Sequence, residues 1–186
     1  MLVSMKEMLA DAREKHYAIP AFDVSNYDMV KSILEVCEEE RSPALLMALE
    51  PDLRGRDMNL LASMVKGASD YFAVPVCLHL DHATNFAYIK RACDAGFSSV
   101  MYDGSVLDFE NNAKNTAEIT KFAHARGITV EAELGHVGNG SVGSFSETGA
   151  DTDPGESLTV PEEVARFIDM TDVDALAEIC AYLVTD

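Results

Sequence analysis

Basic side chains are scarce in this 186-residue sequence, which has 14 lysines and arginines against 32 aspartates and glutamates and a formal net charge of −18. Proteins that bind nucleic-acid backbones or anionic membrane surfaces use clustered lysine and arginine. We therefore expect no nucleic-acid partner and no membrane partner. A small phosphorylated ligand is compatible with this charge, because backbone N–H groups at a helix N-terminus can hold a phosphate with few cations nearby.

Cysteine pairs and long apolar segments are also missing. The four cysteines are far apart and form no C-x-x-C motif, which favours buried free thiols and predicts a reduced, cytoplasmic location. No stretch approaches the roughly 18 apolar residues of a membrane-spanning helix. At the N-terminus, Ser4 and Glu7 have capping-box spacing before a helical pattern, so we interpret this segment as a helix that neither exports nor anchors the protein.

The chain length predicts one domain, in which short apolar runs alternate with longer segments of helical periodicity. This alternation is typical of βαβ units around a parallel sheet. We predict strands at 17–24, 43–49, 74–81, 98–104 and 128–135, and the start of a sixth at 173–177. We predict helices at 27–40, 59–72, 85–96, 112–127 and 161–171. Thr159 and Glu162 have capping-box spacing at the last helix, and Pro161 suits its first turn.

Polar side chains interrupt the apolar strands where the strands end. In parallel sheets and barrels this edge is where ligands bind and catalytic residues collect. Any one of these acids could instead cap a helix, since carboxylates accept hydrogen bonds from the first N–H groups of a helix. The set of residues at this edge is Asp23, Asp81, His82, Asp103, Glu131 and Glu133.

The segment "PVCLHLDH" contains the strongest candidates for chemistry. His82 is the best candidate metal ligand, because neutral imidazole commonly binds Zn²⁺. Asp81 beside it could serve as a general acid or base while a metal polarises a carbonyl. Successive strand residues point to opposite faces, so the two can share a site only if the strand has already broken into its loop. His79 lies deeper, and we interpret it as a core or supporting histidine rather than a ligand.

Two later motifs could complete this site. "MYDGS" places Asp103 at the next strand end, followed by Gly104, which permits a tight turn or a close backbone approach. "VEAELG" carries Glu131 and Glu133 on one face of a strand. Asp103 and Glu133 are plausible outer or secondary zinc ligands. Alternatively, Asp103 caps the next helix and Glu131 is a charge paired inside a barrel.

The glycine-rich stretch from 136 to 158 is harder to interpret. Its segment "GHVGNGSVGS" is not a G-x-G-x-x-G run between a strand and a helix, so it is a weak phosphate-binding motif. We interpret it as a mobile loop that closes over a substrate.

The segments "LDH", "GFSSVMYDGS" and "VEAELG", in this order and spacing, resemble the central part of the class II, zinc-dependent ketose-bisphosphate aldolases. The resemblance also includes "YAIPAFDVSNYDMVKSILEVCEEERSPALL" and "PEEVARFIDMTDVDALA", and so spans nearly all of residues 1 to 177. It implies an α/β fold of the TIM-barrel type, a homo-oligomer, and reversible aldol cleavage of a ketose bisphosphate into dihydroxyacetone phosphate and an aldehyde.

The resemblance also implies roles for single residues. Zn²⁺ would be the cofactor and His82 one of its ligands. Asp81 would exchange the proton of the hydroxyl group that becomes the aldehyde. Asp103 and Glu133 would lie near a second, more buried position of the metal. Which ketose bisphosphate is used does not follow from these motifs.

The sequence departs from the family pattern in three places. The family has two further zinc-binding histidines downstream, whereas no histidine follows His136 here. A family glutamate in the loop after "ELG" is replaced by Gly140 and Ser141, and Glu147 is the available substitute. The loops after strands seven and eight, which generally form the phosphate site of such barrels, have no counterpart in the predicted elements.

We therefore expect an incomplete barrel of five to six βα units over residues 1–177 and an atypical tail over 178–186. The chain would be a fragment of a longer aldolase or would close its sheet through a partner chain, and its own aldol activity would be very low. The alternative function is a non-catalytic remnant that acts as an oligomerisation or interaction module. A metal-dependent hydrolase on a similar barrel fits the motifs less well.

Overall fold

The computed structural model describes residues 1–135 and 158–178 of the chain. Six parallel strands pair in the order β1-β2-β3-β4-β5-β6, and a helix precedes each strand. The strands are β1 Ala21–Asp23, β2 Ala44–Leu49, β3 Val76–Ala83, β4 Ser99–Tyr102, β5 Thr129–Leu134 and β6 Ala175–Glu178. The helices are α1 Met5–Lys15, α2 Tyr27–Glu39, α3 Asp57–Ser69, α4 Phe86–Ala95, α5 Phe109–His124 and α6 Pro161–Thr171.

This arrangement is a curled half-barrel with alternating helices, which confirms the predicted fold class, an incomplete TIM barrel. The sheet order follows the chain order because each helix from α2 to α6 connects two neighbouring parallel strands. The boundary predicted between a barrel segment and a tail at residue 177 stays a prediction. No helix within the described ranges is both long and apolar enough to cross a bilayer.

Side-chain caps fix where most helices begin. Ser4 and Glu7 form the predicted capping box of α1. Asn26, Asn85 and Asp108 accept hydrogen bonds from the first turns of α2, α4 and α5. These bonds satisfy backbone donors that have no partner within the helix.

The capping box predicted for α6 is wrong. The cap position is Val160, which makes no side-chain capping bond, and Pro161 begins the helix as expected. The Thr159 hydroxyl instead donates a hydrogen bond to the backbone oxygen of Leu134 at the end of β5. Long-range contact with the sheet therefore competes successfully with the local cap at this position.

The two faces of the sheet are covered differently. Toward the helices, fully buried residues such as Leu46, Leu78 and Val100 form the main core. On the interior face, Met5 and Met8 of α1 pack on Cys77. Helix α1 therefore fills the barrel interior at the amino-terminal side of the strands, which leaves the opposite end for a site.

Several strand boundaries differ from the predictions by one to four residues, and two of these differences have a clear physical meaning. β1 begins at Ala21 rather than at 17, since Pro20 has no N–H group to donate to a ladder. β3 runs on to Ala83 instead of ending at Asp81. His82 consequently lies inside a strand and not in the loop that we expected.

Candidate active site

A bulge in β3 brings Asp81 and His82 to the same side. Leu80 pairs with Val100 and Ala83 with Tyr102, so two residues of β3 stand opposite one residue of β4. His82 has a φ of 45°, in the left-handed region that non-glycine residues rarely adopt. The bulge interrupts the normal alternation of side chains. Asp81 and His82 can therefore share one site even though the strand has not ended. Such strain in a non-glycine residue is typical of functional sites.

The first cluster consists of His82, Asp103 and Glu133. His82 Nδ1 lies 3.0 Å from Asp103 Oδ2 and 3.5 Å from Glu133 Oε2. One ligand atom from each residue falls within 4.8 Å of the others. Asp103 does not cap the next helix, because Asp108 does so. Instead, Asp103 Oδ1 accepts hydrogen bonds from the backbone N–H and the hydroxyl of Ser105.

The charges in this cluster stabilise one another. The hydrogen bond to Asp103 raises the pKa of His82 to about 9, although burial opposes the shift. Burial acts to raise the pKa of Asp103, but the bonds from His82 and Ser105 outweigh it and lower the pKa to about 2. Without a metal, the pair is therefore an imidazolium and a carboxylate at neutral pH.

The donor set fits a zinc ion. One imidazole nitrogen and two carboxylates are among the ligands that Zn²⁺ takes in proteins. Glu133 places a carboxylate of 3% exposure near that of Asp103, and burying two like charges is costly unless positive charge lies beside them. The His82 imidazolium supplies this charge in the absence of a metal, and a bound metal ion would supply it when the ring is neutral. The three predicted metal residues are thus brought together in a form that a cation would stabilise.

The second cluster consists of His79, Asp81 and Glu131. His79 is 1% exposed, and its Nε2 lies 3.4 Å from Glu131 Oε2 and 3.8 Å from Asp81 Oδ1. Burial lowers the pKa of His79 to about 3, so the ring is neutral. Burial, and then the charge of Asp81, raise the pKa of Glu131 to about 7. Burial also raises the pKa of Asp81, and the charge of Asp23 adds to this shift.

A neighbouring helix supports the first cluster through residues that the sequence analysis did not identify. Asn112 of α5 is buried, and its side-chain amide donates to the backbone oxygen of Glu133. Gly104 lies so close to this amide that an added Cβ atom would stand 2.2 Å from Asn112 Oδ1. The predicted close approach at Gly104 is thereby confirmed. No sequence signal identified Asn112, because a polar residue on a helix is ordinary.

An open cavity of about 640 Å³ lies next to His82. Arg54 and Arg91 line it together with Tyr88. The Arg91 guanidinium donates to the backbone oxygen of Gly55, and the Tyr88 hydroxyl donates to that of Leu53. These bonds hold the segment after β2 against α4. The cavity places two cations near the cluster, which the sequence analysis also missed.

The prediction of buried free thiols can be checked for three of the four cysteines. Cys37, Cys77 and Cys93 are buried free thiols, as expected. The remaining predicted features lie outside the described residues, so they stay predictions: Cys180, His136, Gly140, Ser141, Glu147 and the rest of the glycine-rich loop.

Comparison with known proteins gives a consistent result. The model of the family described as class II fructose-bisphosphate aldolase matches residues 3–179. A fructose-bisphosphate aldolase from Staphylococcus aureus is 39% identical over 179 residues, which are 95% of this chain and 60% of the relative. One from Giardia intestinalis is 36% identical over 177 residues, which are 95% of this chain and 52% of the relative. The chain therefore spans only about half to three fifths of the length of these curated relatives.

Solved structures show the same likeness. The crystal structure of the YdjI aldolase from Escherichia coli K12 superposes with a TM-score of 0.82 at 32% identity, covering 96% of this chain and 62% of that one. A fructose-bisphosphate aldolase from Campylobacter jejuni superposes with a TM-score of 0.73 at 24% identity, covering 95% and 58%, and supports the fold.

Proposed function

Because the chain belongs to the class II fructose-bisphosphate aldolase family, we propose that it is an aldehyde-lyase that cleaves a ketose bisphosphate to dihydroxyacetone phosphate and an aldehyde, with Zn²⁺ as cofactor. The observation that carries this proposal is the bulge in β3. It directs Asp81 and His82 to one rim, where Asp103 and Glu133 also lie. A carboxylate that would exchange a proton and the residues that would bind a metal thereby lie at one rim.

His82, Asp103 and Glu133 would hold the metal. When bound, Zn²⁺ supplies Lewis-acid polarisation of the substrate carbonyl. The residues themselves contribute orientation. Ser105 binds Asp103 from the side away from His82, and Asn112 holds the backbone of Glu133, so two of the three ligands are fixed by other parts of the chain.

Asp81 would move the proton. Its side chain is 15% exposed, so it is reachable from the site while being largely desolvated. In the cleavage direction its carboxylate takes the proton of the substrate hydroxyl as the aldehyde carbonyl forms and the adjacent C–C bond breaks. The electron pair of that bond stays on the dihydroxyacetone phosphate half, whose carbon later takes up a proton. In the synthetic direction it returns that proton. The raised pKa of Asp81 makes it a stronger base than an ordinary aspartate, which suits this role.

The cavity beside His82 would receive an anionic end of the substrate. Arg54 and Arg91 supply positive charge in a protein whose net charge is −18. Guanidinium groups bind phosphate oxygens in pairs of parallel hydrogen bonds. This position supports a phosphorylated sugar as the substrate class.

We further propose that this chain by itself is a weak aldolase. The phosphate site of TIM barrels is generally built by the loops after strands seven and eight, and the described residues contain six strands. A homo-oligomer and a cytoplasmic location also remain proposals. The parallel sheet supports the first of these, because β1 and β6 each pair on one side only within the described residues.

The test is aldol cleavage of fructose and tagatose bisphosphates by the purified chain, measured with a coupled assay at saturating zinc. We expect slow cleavage, reduced by about 100-fold or more in Asp81→Asn, since general acid–base groups contribute factors of this size. Asp169→Asn, at an exposed position of α6, is the matched control and should leave the rate unchanged. Equal rates for Asp81→Asn and the unaltered chain would refute the role of Asp81.

A further inference from the structure

The Nε2 atom of His79 is a buried polar atom of the barrel interior that takes no part in the proposed chemistry. His79 is 1% exposed, and its Nε2 atom has no hydrogen-bond partner among residues 1–135 and 158–178. A buried N–H group without a partner costs free energy comparable to a lost hydrogen bond. Two carboxylate oxygens lie close to this atom, one of Glu131 at 3.4 Å and one of Asp81 at 3.8 Å.

The other ring nitrogen of His79 determines which group Nε2 presents to these carboxylates. Nδ1 lies 2.8 Å from the Oγ atom of Ser99. The Ser99 hydroxyl has a second acceptor within reach, the Met5 sulfur at 3.7 Å, but a thioether is a weak acceptor and an imidazole nitrogen a good one. We therefore expect the Ser99 hydroxyl to donate to Nδ1. A neutral imidazole that accepts at Nδ1 carries its proton on Nε2.

We propose that His79 is a positioning residue for Asp81, whose Nε2–H group, fixed by Ser99, is a donor shared by the carboxylates of Glu131 and Asp81. The part of this inference that concerns catalysis rests on the proposed function. The part that concerns the donor rests on the geometry of the interior alone.

The arrangement explains how two carboxylates stand so close in a desolvated interior. Asp81 and Glu131 have exposures of 15% and 23%, and like charges at such positions repel each other. An N–H group 3.4 Å from one carboxylate oxygen and 3.8 Å from the other would offset this repulsion. Met5 packs against Ser99 from α1, so the serine next to the ring is itself held in place.

The first test is nitrogen NMR of the full chain labelled with ¹⁵N-histidine, with His79 assigned from the spectrum of His79→Gln. We expect the proton on Nε2, with slow exchange against solvent. Ser99→Ala should shift the His79 nitrogen resonances toward a mixture of tautomers. Ser98→Ala, at a neighbouring serine that contacts Cys77 and Leu78 instead, should leave them in place. A proton on Nδ1 in the unaltered chain would overturn the proposal, because Nε2 would then be an acceptor and could only accept from a protonated carboxyl.

The second test compares His79→Leu with His79→Gln in the aldol cleavage assay. Leucine fills the space without a donor, whereas the glutamine amide places an N–H group near the position of Nε2. We expect kcat to fall by about 10- to 100-fold in His79→Leu with KM nearly unchanged, a size typical of a misplaced catalytic group, and to be largely restored in His79→Gln. Equal losses in both variants, in parallel with equal losses of stability in urea, would show a merely structural role.

The two tests distinguish a failure of the proposed function from a failure of the positioning role of His79. If the chain cleaves no ketose bisphosphate, the proposed function fails, yet the position of the proton on His79 still decides whether Glu131 and Asp81 share a donor. If cleavage occurs but the proton lies on Nδ1, the function stands and the positioning role of His79 is wrong.

Discussion

His82 and Asp103 are joined by a contact of 3.0 Å between Nδ1 and Oδ2, although they lie 21 positions apart in the chain. The bulge in β3 and the end of β4 bring them together, because neighbouring parallel strands end at the same rim. The contact orients the imidazole before any metal binds. Asp103 therefore fixes the ring of His82, and in the proposed site it would also be a ligand.

Replacement of Asp103 by asparagine should weaken zinc binding. The amide keeps the shape of the side chain but removes its charge, and loss of a group that orients or completes a metal site typically lowers affinity by about 10- to 100-fold. Calorimetric titration with Zn²⁺ measures this directly. Asp108→Asn is the matched control, because asparagine caps a helix as well as aspartate does. Equal affinities for the two variants would show that Asp103 takes no part in the site.

Replacement of Gly104 by alanine should destabilise the fold. The new methyl group would stand 2.2 Å from Asn112 Oδ1 and 2.8 Å from the Tyr102 ring, which the close-packed interior cannot accommodate without movement. We expect a loss of about 1–3 kcal/mol in the free energy of unfolding, measured in urea. Gly67→Ala is the control. Gly67 lies inside α3 with no heavy atom within 4 Å of an added Cβ, so alanine should stabilise the chain by about 0.5–1 kcal/mol. A Gly104→Ala variant as stable as the unaltered chain would contradict the close approach.

Asp174 should make stability depend on pH in the acid range. Its carboxylate is 2% exposed and lies 2.8 Å from His124 Nε2 and 2.9 Å from the backbone nitrogen of Val130. Burial acts to raise its pKa, but the bonds from Lys6, Val130 and His124 outweigh burial and lower it. Because the pKa is depressed in the folded state, the stabilisation is fully present above the unfolded pKa and is lost as the pH falls through the folded pKa.

The variant Asp174→Asn tests whether the Asp174 carboxylate stabilises the fold at neutral pH and loses this effect in acid. At neutral pH we expect it to lower the free energy of unfolding by about 2 kcal/mol, the cost of leaving buried donors poorly satisfied. Lys6 contributes little of this, because its side chain is 69% exposed. The difference between variant and unaltered chain should shrink below the pKa of Asp174, in urea titrations at a series of pH values. Asp169→Asn should show no such pH dependence, and a constant difference for Asp174→Asn would contradict the assignment.

The buried thiols should resist alkylation. Burial raises the pKa of Cys77 to about 12 and that of Cys93 to about 11. The thiolate is the reactive form, so both residues should react much more slowly with iodoacetamide in the folded chain than in urea at the same pH. Peptide mass spectrometry after timed labelling resolves each cysteine. Rapid labelling of Cys77 in the folded chain would show that α1 does not cover the interior face.

The sequence allowed the order of the elements to be predicted because each strand and helix carries its own periodicity and caps. Residues 161–171 form the helix that was predicted there, and α1 has the predicted capping box. The rim of polar residues could also be predicted from the strand ends, because the C-terminal ends of parallel strands share one edge. The residues and the resemblance together gave His82, Asp103 and Glu133 as candidate ligands, and the structure brings these three together.

The bulge at His82 could not be predicted. Bulges are commonly marked by glycine, and the segment "LDHA" contains none, so its strained backbone depends on pairing with β4. Ser99 and Asn112 were missed for a similar reason. Their roles depend on register and on the packing of α5, which are long-range properties that local patterns do not encode. Thr159 shows the same effect, because a contact with Leu134 replaces the local cap.

The zinc content of the purified 186-residue chain decides whether His82 belongs to a zinc site. Elemental mass spectrometry of the unaltered chain and of His82→Ala, after dialysis against the same buffer, gives the comparison. We expect about one zinc per chain, the single ion that His82, Asp103 and Glu133 would hold, and its loss in the variant. No zinc in either protein, or equal zinc in both, would show that His82 does not hold zinc in this chain.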